Sequence, residues 1–403
     1  MDKPEYVIPS MLEVAKTQGT NGYTMVSTFS GCGGSCLGFE MSGYKVAWAN
    51  EFVEAARDTY IMNHPGVIVD GRDVREVTGS DILSAIGKGV GEVDVLEGSP
   101  PCASFSTAGS REKGWGKVKS YSDTEQRADD LFFEYARLVG EVQPKVFVAE
   151  NVSGLVKGKA LGYFKWILAE LKANGYTVEA KLLDASWLGV PQARQRLIFM
   201  GVRNDLVETY GVTPTYPQPF PTRHTVREVL PNIQRMKFGG KPHNYQSSDK
   251  PSPTVMASDG QTSPTAYFSS GGFVETHDEV THDPETGQEI SIGRYAIGPE
   301  WDKLAPGEAS KRYFTLVKSH LDAPAQTIVA QGGNVGAAAI THPTQRRKFT
   351  LQELRLLSSF PADFQLTGTY EQRWERIGRS VPPLMAKAIA DSIRYNILDG
   401  ITS

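Results

Sequence analysis

Residues 93–106, VDVLEGSPPCASFS, are the stretch whose reading decides how this chain folds. The short apolar run at 93–96 reads as a buried parallel strand, stopped by Gly98. Pro100 and Pro101 then stiffen a turn that presents Cys102. In open α/β sheets, ligands and reactive groups gather beyond the carboxyl ends of the strands, where this turn falls. A thiol on a rigid, partly exposed turn is a candidate nucleophile. The same residues also fit a small buried cysteine beside a tight turn.

Upstream, residues 24–29 read as a first strand, and Ser30-Gly31-Cys32-Gly33-Gly34 leads from it into a helical stretch. Glycines between a strand and a helix let a ligand approach the backbone, and the helix N-terminus offers free N–H groups to an anionic part. A second strand at 44–49 ends near Glu51, about 20 positions after the loop, which is where an acid can hydrogen-bond ribose hydroxyls. A third strand at 67–70 leads to Arg72-Asp73-Val74. This is the nucleoside-binding half of a doubly wound sheet, and nicotinamide dinucleotide fits it as well as other nucleosides do.

Downstream, residues 110–119 combine Arg111, Lys113, Lys117 and Lys119 with two glycines and Trp115. They read as a solvated surface loop or as a mobile lid that meets phosphates. A helix over 129–142 precedes a strand at 145–149 that ends in Glu150-Asn151-Val152, and Glu150 is either a functional carboxyl or an ordinary ion-paired one. A helix at 163–173 and a strand at 176–183 follow. Next comes Gly189-Val-Pro-Gln-Ala-Arg-Gln-Arg196, which runs into a strand at 197–201 and places Arg194 and Arg196 on one face if extended. From about residue 206 Pro and Gly become frequent, and segments 250–260 and 322–332 resemble each other. Residues 226–345 therefore read as an insertion, mainly irregular and β, between a catalytic part at 1–225 and a return at 346–403. The return carries a helix at 350–358, the segment Ile377-Gly378-Arg379-Ser380-Val381-Pro382-Pro383 and a last helix at 385–395.

At 403 residues the chain has room for two domains or for one with an insertion. Its formal net charge of −4 carries no overall basic signature, so a nucleic-acid surface must be a local patch. Cys32, Cys36 and Cys102 make neither a disulfide framework nor a zinc spacing, so no metal is expected. Without a signal peptide or a membrane-length apolar run, a cytosolic monomer is expected.

Together these elements resemble the cytosine-C5 DNA methyltransferase family over nearly the whole chain and in the family's motif order. FSGCGG at 29–34, Glu51, Asp73-Val74, the Pro-Pro-Cys turn at 100–102, Glu150-Asn151-Val152, Gln192-x-Arg194-x-Arg196 and the segment 378–383 carry the resemblance. It implies a Rossmann-like, S-adenosylmethionine-dependent catalytic domain, with the insertion as target-recognition domain. It further implies that the Cys102 thiolate adds to cytosine C6 and that Glu150 hydrogen-bonds N3. Arg196 then holds O2, and Arg194 fixes the local network or a phosphate. Phe29, Gly31, Gly33 and Pro100 line the cofactor and Glu51 takes its ribose. Asp73 and Val74 read its adenine with Leu131 packed on that ring, and Arg379 and Ser380 close the site. Such chemistry needs the base flipped out of double-stranded DNA, and Arg111, Lys113, Lys117 and Lys119 would hold the strand.

Three positions depart from the family pattern: Ala103 in place of Gln, Ser27 in place of Asp, and Arg379 in place of Asn. The last matters electrostatically. A guanidinium about 4 Å from a sulfonium is repelled by roughly 4 kcal/mol at an effective dielectric of 20. Arg379 therefore either turns to phosphate, solvent or the cofactor's own carboxylate, or pairs with a carboxylate on the transferred group. In the second case the donor is carboxy-S-adenosylmethionine and the product 5-carboxymethylcytosine. An RNA cytosine-C5 methyltransferase would keep the same catalytic set. A nicotinamide oxidoreductase would explain only the glycine loop and Glu51, and a catalytically silent DNA-binding relative would not need Cys102, Glu150 and Arg196 together.

Overall fold

The computed structural model describes residues 5–101, 118–121, 124–127, 130–156, 160–230 and 280–402. Cys102, Ala103, Arg111, Lys113, Lys117 and the segment 250–260 lie outside the described residues. Among the described residues, seven strands form one sheet: β1 (Thr24–Thr28), β2 (Lys45–Asn50), β3 (Ile68–Asp70), β4 (Val95–Gly98), β5 (Val146–Val152), β6 (Tyr176–Asp184) and β7 (Gln195–Arg203). Their order is β3-β2-β1-β4-β5-β7-β6. β7 runs antiparallel to both neighbours, and the first five strands pair in parallel. This reversal matters for the site, because it sets the first residues of β7 at the edge where the parallel strands end.

Alternation along the strands explains the layers. Met25, Val46, Val95, Val146, Val148, Ile198 and Met200 face one side, where α1 (Gly34–Met41) brings Cys36 and Phe39. A C-terminal helix, Pro383–Ile393, adds Met385, Ile389 and Ile393 to that side. Val26, Trp48, Leu96, Phe147, Leu197 and Phe199 face the other side. They pack there on three helices: α2 (Gly79–Ile86), α3 (Leu131–Val142) and α4 (Ala160–Ala173). The sheet is thus sandwiched between two helical layers.

A third apolar cluster joins Cys32, Leu37 and Met41 of the glycine loop and α1 to Ile290, Ile292, Trp301, Ile328 and Ile340. The described part of the insertion is held by pairs of two-residue strands and by turns, as its Pro- and Gly-rich sequence predicts. Its core does not break at residue 345. Helices α5 (Leu351–Leu357) and α6 (Tyr370–Arg379) share this cluster through Leu354, Trp374 and Ile377. Helix α7 (Pro383–Ile393) returns to the sheet, and Ile397 and Leu398 just after it join the same cluster. Strands Val118–Tyr121 and Thr124–Arg127 pair antiparallel, with Lys119 on the first. No helix among the described residues is long and apolar enough to cross a membrane.

Candidate active site

The expected strand ahead of Pro100 and Pro101 is present as β4, with one correction to its register. The strand spans Val95–Gly98, so Gly98 ends it from inside rather than halting a strand at 93–96. Gly98 is required there by close packing. A Cβ would come within 2.5 Å of Thr28 Oγ1 and of the Tyr135 ring. Tyr135 is pinned in turn, its hydroxyl donating to the Leu96 and Val148 carbonyls at 3.1 and 2.9 Å. Asn151 Nδ2 donates to the Pro100 carbonyl at 3.2 Å, tying the end of β5 to the Pro100–Pro101 turn. Both prolines line a cavity of about 450 Å³ at the carboxyl edge of the sheet, and Cys102 follows them in the chain.

Glu150 and Arg196 meet in this cavity. Ile198 lies opposite Glu150 in the β5–β7 ladder, so Arg196, two residues earlier, projects from the same face. The Arg196 Nε lies 2.5 Å from Glu150 Oε1, and each side chain is 14% exposed, so the pair is open to an incoming ligand. Arg194 also reaches the cavity wall but is itself buried. It donates from Nη1 to the Ile328 carbonyl at 3.1 Å and from Nη2 to the Arg379 carbonyl at 3.3 Å. Burial, and then the charge of Arg196, pull its pKa well below arginine's usual value. Its role here is to tie the insertion and the closing segment to the sheet.

The glycine loop forms the opposite wall. Phe29 and Gly31 have φ of 54° and 56°, and Gly33 has φ of 92°. Gly33 has no room for a side chain, since a Cβ would lie 2.0 Å from His64 Nε2. Glu51 is buried and accepts the Gly31 N–H on Oε2 and the Val53 N–H on Oε1, each at 2.7 Å. Burial raises its pKa against the pull of these two donors. Each carboxylate oxygen keeps a second lone pair for a ligand hydroxyl. Val74, Asn50 and Phe52 share this wall.

Two expected cofactor residues stand elsewhere. Asp73 is not part of the cavity lining among the described residues, because its carboxylate caps the following turn through the Arg75 N–H and pairs with the Arg75 guanidinium at 2.9 Å. Leu131 is fully buried in the core that holds Val74, behind the wall rather than on it.

The closing segment completes the enclosure. Ser380 Oγ donates to the Arg376 carbonyl at 2.6 Å and lies 3.0 Å from Cys32 Sγ. Arg379 lines the cavity, but its guanidinium is held by Glu375, at 2.7 Å from Nε and 2.6 Å from Nη2. Its carboxylate partner thus comes from the preceding turn of α6.

Sequence reasoning missed the wall at residues 327–331 and the carboxyl of Glu97. Glu97 is buried in β4, directly across from Ser27 of β1 in the parallel ladder. Its Oε2 accepts from Ser27 Oγ at 2.8 Å and its Oε1 from Ser99 Oγ at 3.3 Å. Burial pushes this carboxyl up to about 7, opposed by the hydroxyls of Ser27, Ser35 and Ser99. The signals were an acid inside an apolar strand and the resemblance of 322–332 to 250–260.

Residues 23–395 match the family model described as C-5 cytosine-specific DNA methylase. The chain is 30% identical over 398 residues to the type II methyltransferase M.Eco47II of Escherichia coli, covering 94% of this chain and 81% of the relative. It is 28% identical to M.FnuDI of Fusobacterium nucleatum, covering 93% and 95%. In fold it resembles a prophage-encoded E. coli chain, with a TM-score of 0.61, 22% identity and coverage of 94% and 99%. It also resembles the Spodoptera frugiperda DNMT2 structure, with a TM-score of 0.57, 16% identity and coverage of 94% and 100%. The chain belongs to the C-5 cytosine-specific DNA methyltransferase family and transfers a methyl group from S-adenosylmethionine to cytosine in double-stranded DNA.

Proposed function

We propose that Cys102 is the nucleophile of this reaction and that Glu150 and Arg196 are the groups that grip the target base. The observation that carries this reading is the Glu150–Arg196 pair, set in the same cavity as the Pro100–Pro101 turn that leads into Cys102. When a flipped cytosine enters, the pair opens. Arg196 turns its N–H groups to O2, and Glu150 offers its carboxyl to N3. Both contacts strengthen as the ring gains electron density, so they act on the transition state rather than on binding alone. The Cys102 thiolate bonds to C6, which makes C5 nucleophilic. After C5 is alkylated, a base removes its proton, and the C6–S bond breaks to return the thiolate.

The residues present suit the donor. The cavity volume falls in the range of small-molecule sites. Glu51 would take ribose hydroxyls, Val74 and Phe52 would flank the adenine, and the loop Phe29–Gly33 would pass along the backbone of the ligand. S-adenosylmethionine supplies, when bound, an electrophilic methyl carbon. The pairing of Arg379 with Glu375 supports a plain methyl donor over a carboxylated one. Target reading is assigned to residues 226–345, and Arg111, Lys113, Lys117 and Lys119 would add sequence-independent phosphate contacts.

The test is single-turnover transfer by Glu150→Gln and Arg196→Met on duplex DNA. We expect each to lower the chemical rate by a hundredfold or more while the affinity for S-adenosylhomocysteine stays within about threefold. Equal losses in donor binding and rate would assign the pair to the donor instead.

A further inference from the structure

Glu97 takes no part in the chemistry at cytosine, yet its carboxyl lies deep in the same site. It belongs to the lining of the cavity, is 2% exposed, and is surrounded by hydroxyls. Ser27 comes from β1, Ser99 from the turn after β4, and Ser35 from the first turn of α1. Two other acids of the catalytic part have cations, Asp94 with Lys145 at 2.8 Å and Glu150 with Arg196, and buried Glu51 takes two backbone N–H donors instead. Among the described residues no Lys, Arg or His forms an ion pair with Glu97. Hydroxyls alone are weak compensation for a buried negative charge. A site of this kind is completed by a cation that arrives with a ligand.

The neighbouring glycine loop narrows the identity of that cation. Ser30 to Ser35 lead into the N-terminus of α1, whose free N–H groups favour a carboxylate. Glu97, joined to that same first turn through Ser35, favours an ammonium. An anion-seeking helix end beside a cation-seeking acid is complementary to an α-amino acid zwitterion. We propose that Glu97 is a donor-binding residue that pairs with the α-ammonium of the methionine moiety, with Ser27 and Ser35 orienting its carboxylate. This rests on the reading of the cavity as the donor site. Ser27 and Glu97 face each other across the β1–β4 ladder, so the acid that Ser27 lacks is provided from the adjacent strand.

The carboxyl's position near 7 gives this pairing a signature in the neutral range. The titratable groups that face Glu97 are Cys36 of α1, Tyr60 of the helix Glu54–Asn63, Tyr135 of α3 and Glu150 of β5. Burial pushes Cys36, Tyr60 and Tyr135 upward, so all three stay neutral between pH 6 and 8. An acid with a raised pKa carries its charge above that value and loses it as pH falls through it. Donor affinity should therefore weaken on acidification, whereas protonation of the ligand amine alone would strengthen it.

The experiment measures calorimetric binding of S-adenosylhomocysteine and of its analogue lacking the α-amino group. Both are titrated into the full chain as wild type, Glu97→Gln and Glu97→Asp. We expect the wild type to prefer the amino compound by tenfold or more at pH 8, and Glu97→Gln to reduce that preference to about twofold. Glu97→Asp should keep part of it. In the wild type the affinity for S-adenosylhomocysteine should fall about tenfold from pH 8 to 6, and that for the deaminated analogue should not. The pH arm needs no variant, so it decides the matter even if a substitution prevents folding. A preference that survives in Glu97→Gln, or a flat wild-type profile, overturns the role of Glu97 while leaving the donor site intact. Failure of the wild type to bind either compound overturns the donor-site reading and this inference with it.

Discussion

The two walls of the cavity are built by different means. The glycine-loop wall comes from one continuous segment, residues 29–53, whose shape is set by backbone conformation: φ values of 54°, 56° and 92° and the N–H groups that Glu51 collects. The facing wall is assembled from β5, β7, residues 327–331 and the closing segment. Contacts between residues 134 and 185 positions apart run through Arg194, and Gln192 and Thr327 add bonds of their own between the β7 entry and residues 327–328. The first wall is rigid because glycine leaves no room for repacking, and the second because a buried guanidinium spans two carbonyls. Under the proposed function the local wall would bind the donor and the long-range wall would admit the base, which suits the order of chemistry, since only the second would have to open.

Three substitutions probe this contrast. The largest effect is expected at Gly33→Ala. The residue would sit at φ 92° with its Cβ 2.0 Å from His64 Nε2. His64 cannot move aside, being held by Glu40 at 2.9 Å and stacked on Tyr60. A positive φ and an overpacked contact together cost about 3 kcal/mol or more, which urea denaturation will read alongside a loss of S-adenosylhomocysteine binding. Stability and binding equal to wild type would show that the loop is softer than its backbone implies.

Arg194→Lys comes next. A single ammonium cannot span the two carbonyls, but the substitution also removes a buried guanidinium whose Nε has no partner. We expect stability to change by less than about 2 kcal/mol while the KM for DNA rises about tenfold, because the 328 and 379 walls lose their common tie. Unchanged kinetics would assign the closure to the apolar cluster alone.

Arg379→Asn should do least. Its exposed pair with Glu375 contributes about 0.3–0.5 kcal/mol, and the modified nucleoside should weigh as 5-methylcytosine with or without it. A mass corresponding to 5-carboxymethylcytosine from the wild type, given both donors, would restore the carboxylated donor.

What was legible in the sequence follows the same division. The β1–glycine loop–α1 unit, Glu51, the Pro100–Pro101 pair and the Glu150 strand end are local patterns, and each of these borders the same cavity. Asp73 pairs with Arg75 and Leu131 is buried in the core, because one turn decides whether a residue at a strand end faces the cavity, an arginine or the core. The partners of Arg194 and Arg379 are backbone carbonyls and a helix neighbour, which carry no distinguishing letter. Glu97 was hidden by its setting, for the apolar run at 93–96 ends one residue short of it, whereas the strand spans Val95–Gly98. Only the ladder shows that it faces Ser27.

The central claim is that Cys102 acts on a base held by Glu150 and Arg196. The most direct measurement is mass and gel analysis of the enzyme incubated with S-adenosylmethionine and duplex DNA carrying 5-fluorocytosine at target sites. Fluorine at C5 cannot leave as a proton, so the covalent adduct should accumulate in the wild type and be absent in Cys102→Ala. An adduct that persists in Cys102→Ala, or methyl transfer by the wild type with no trapped complex, would contradict the account.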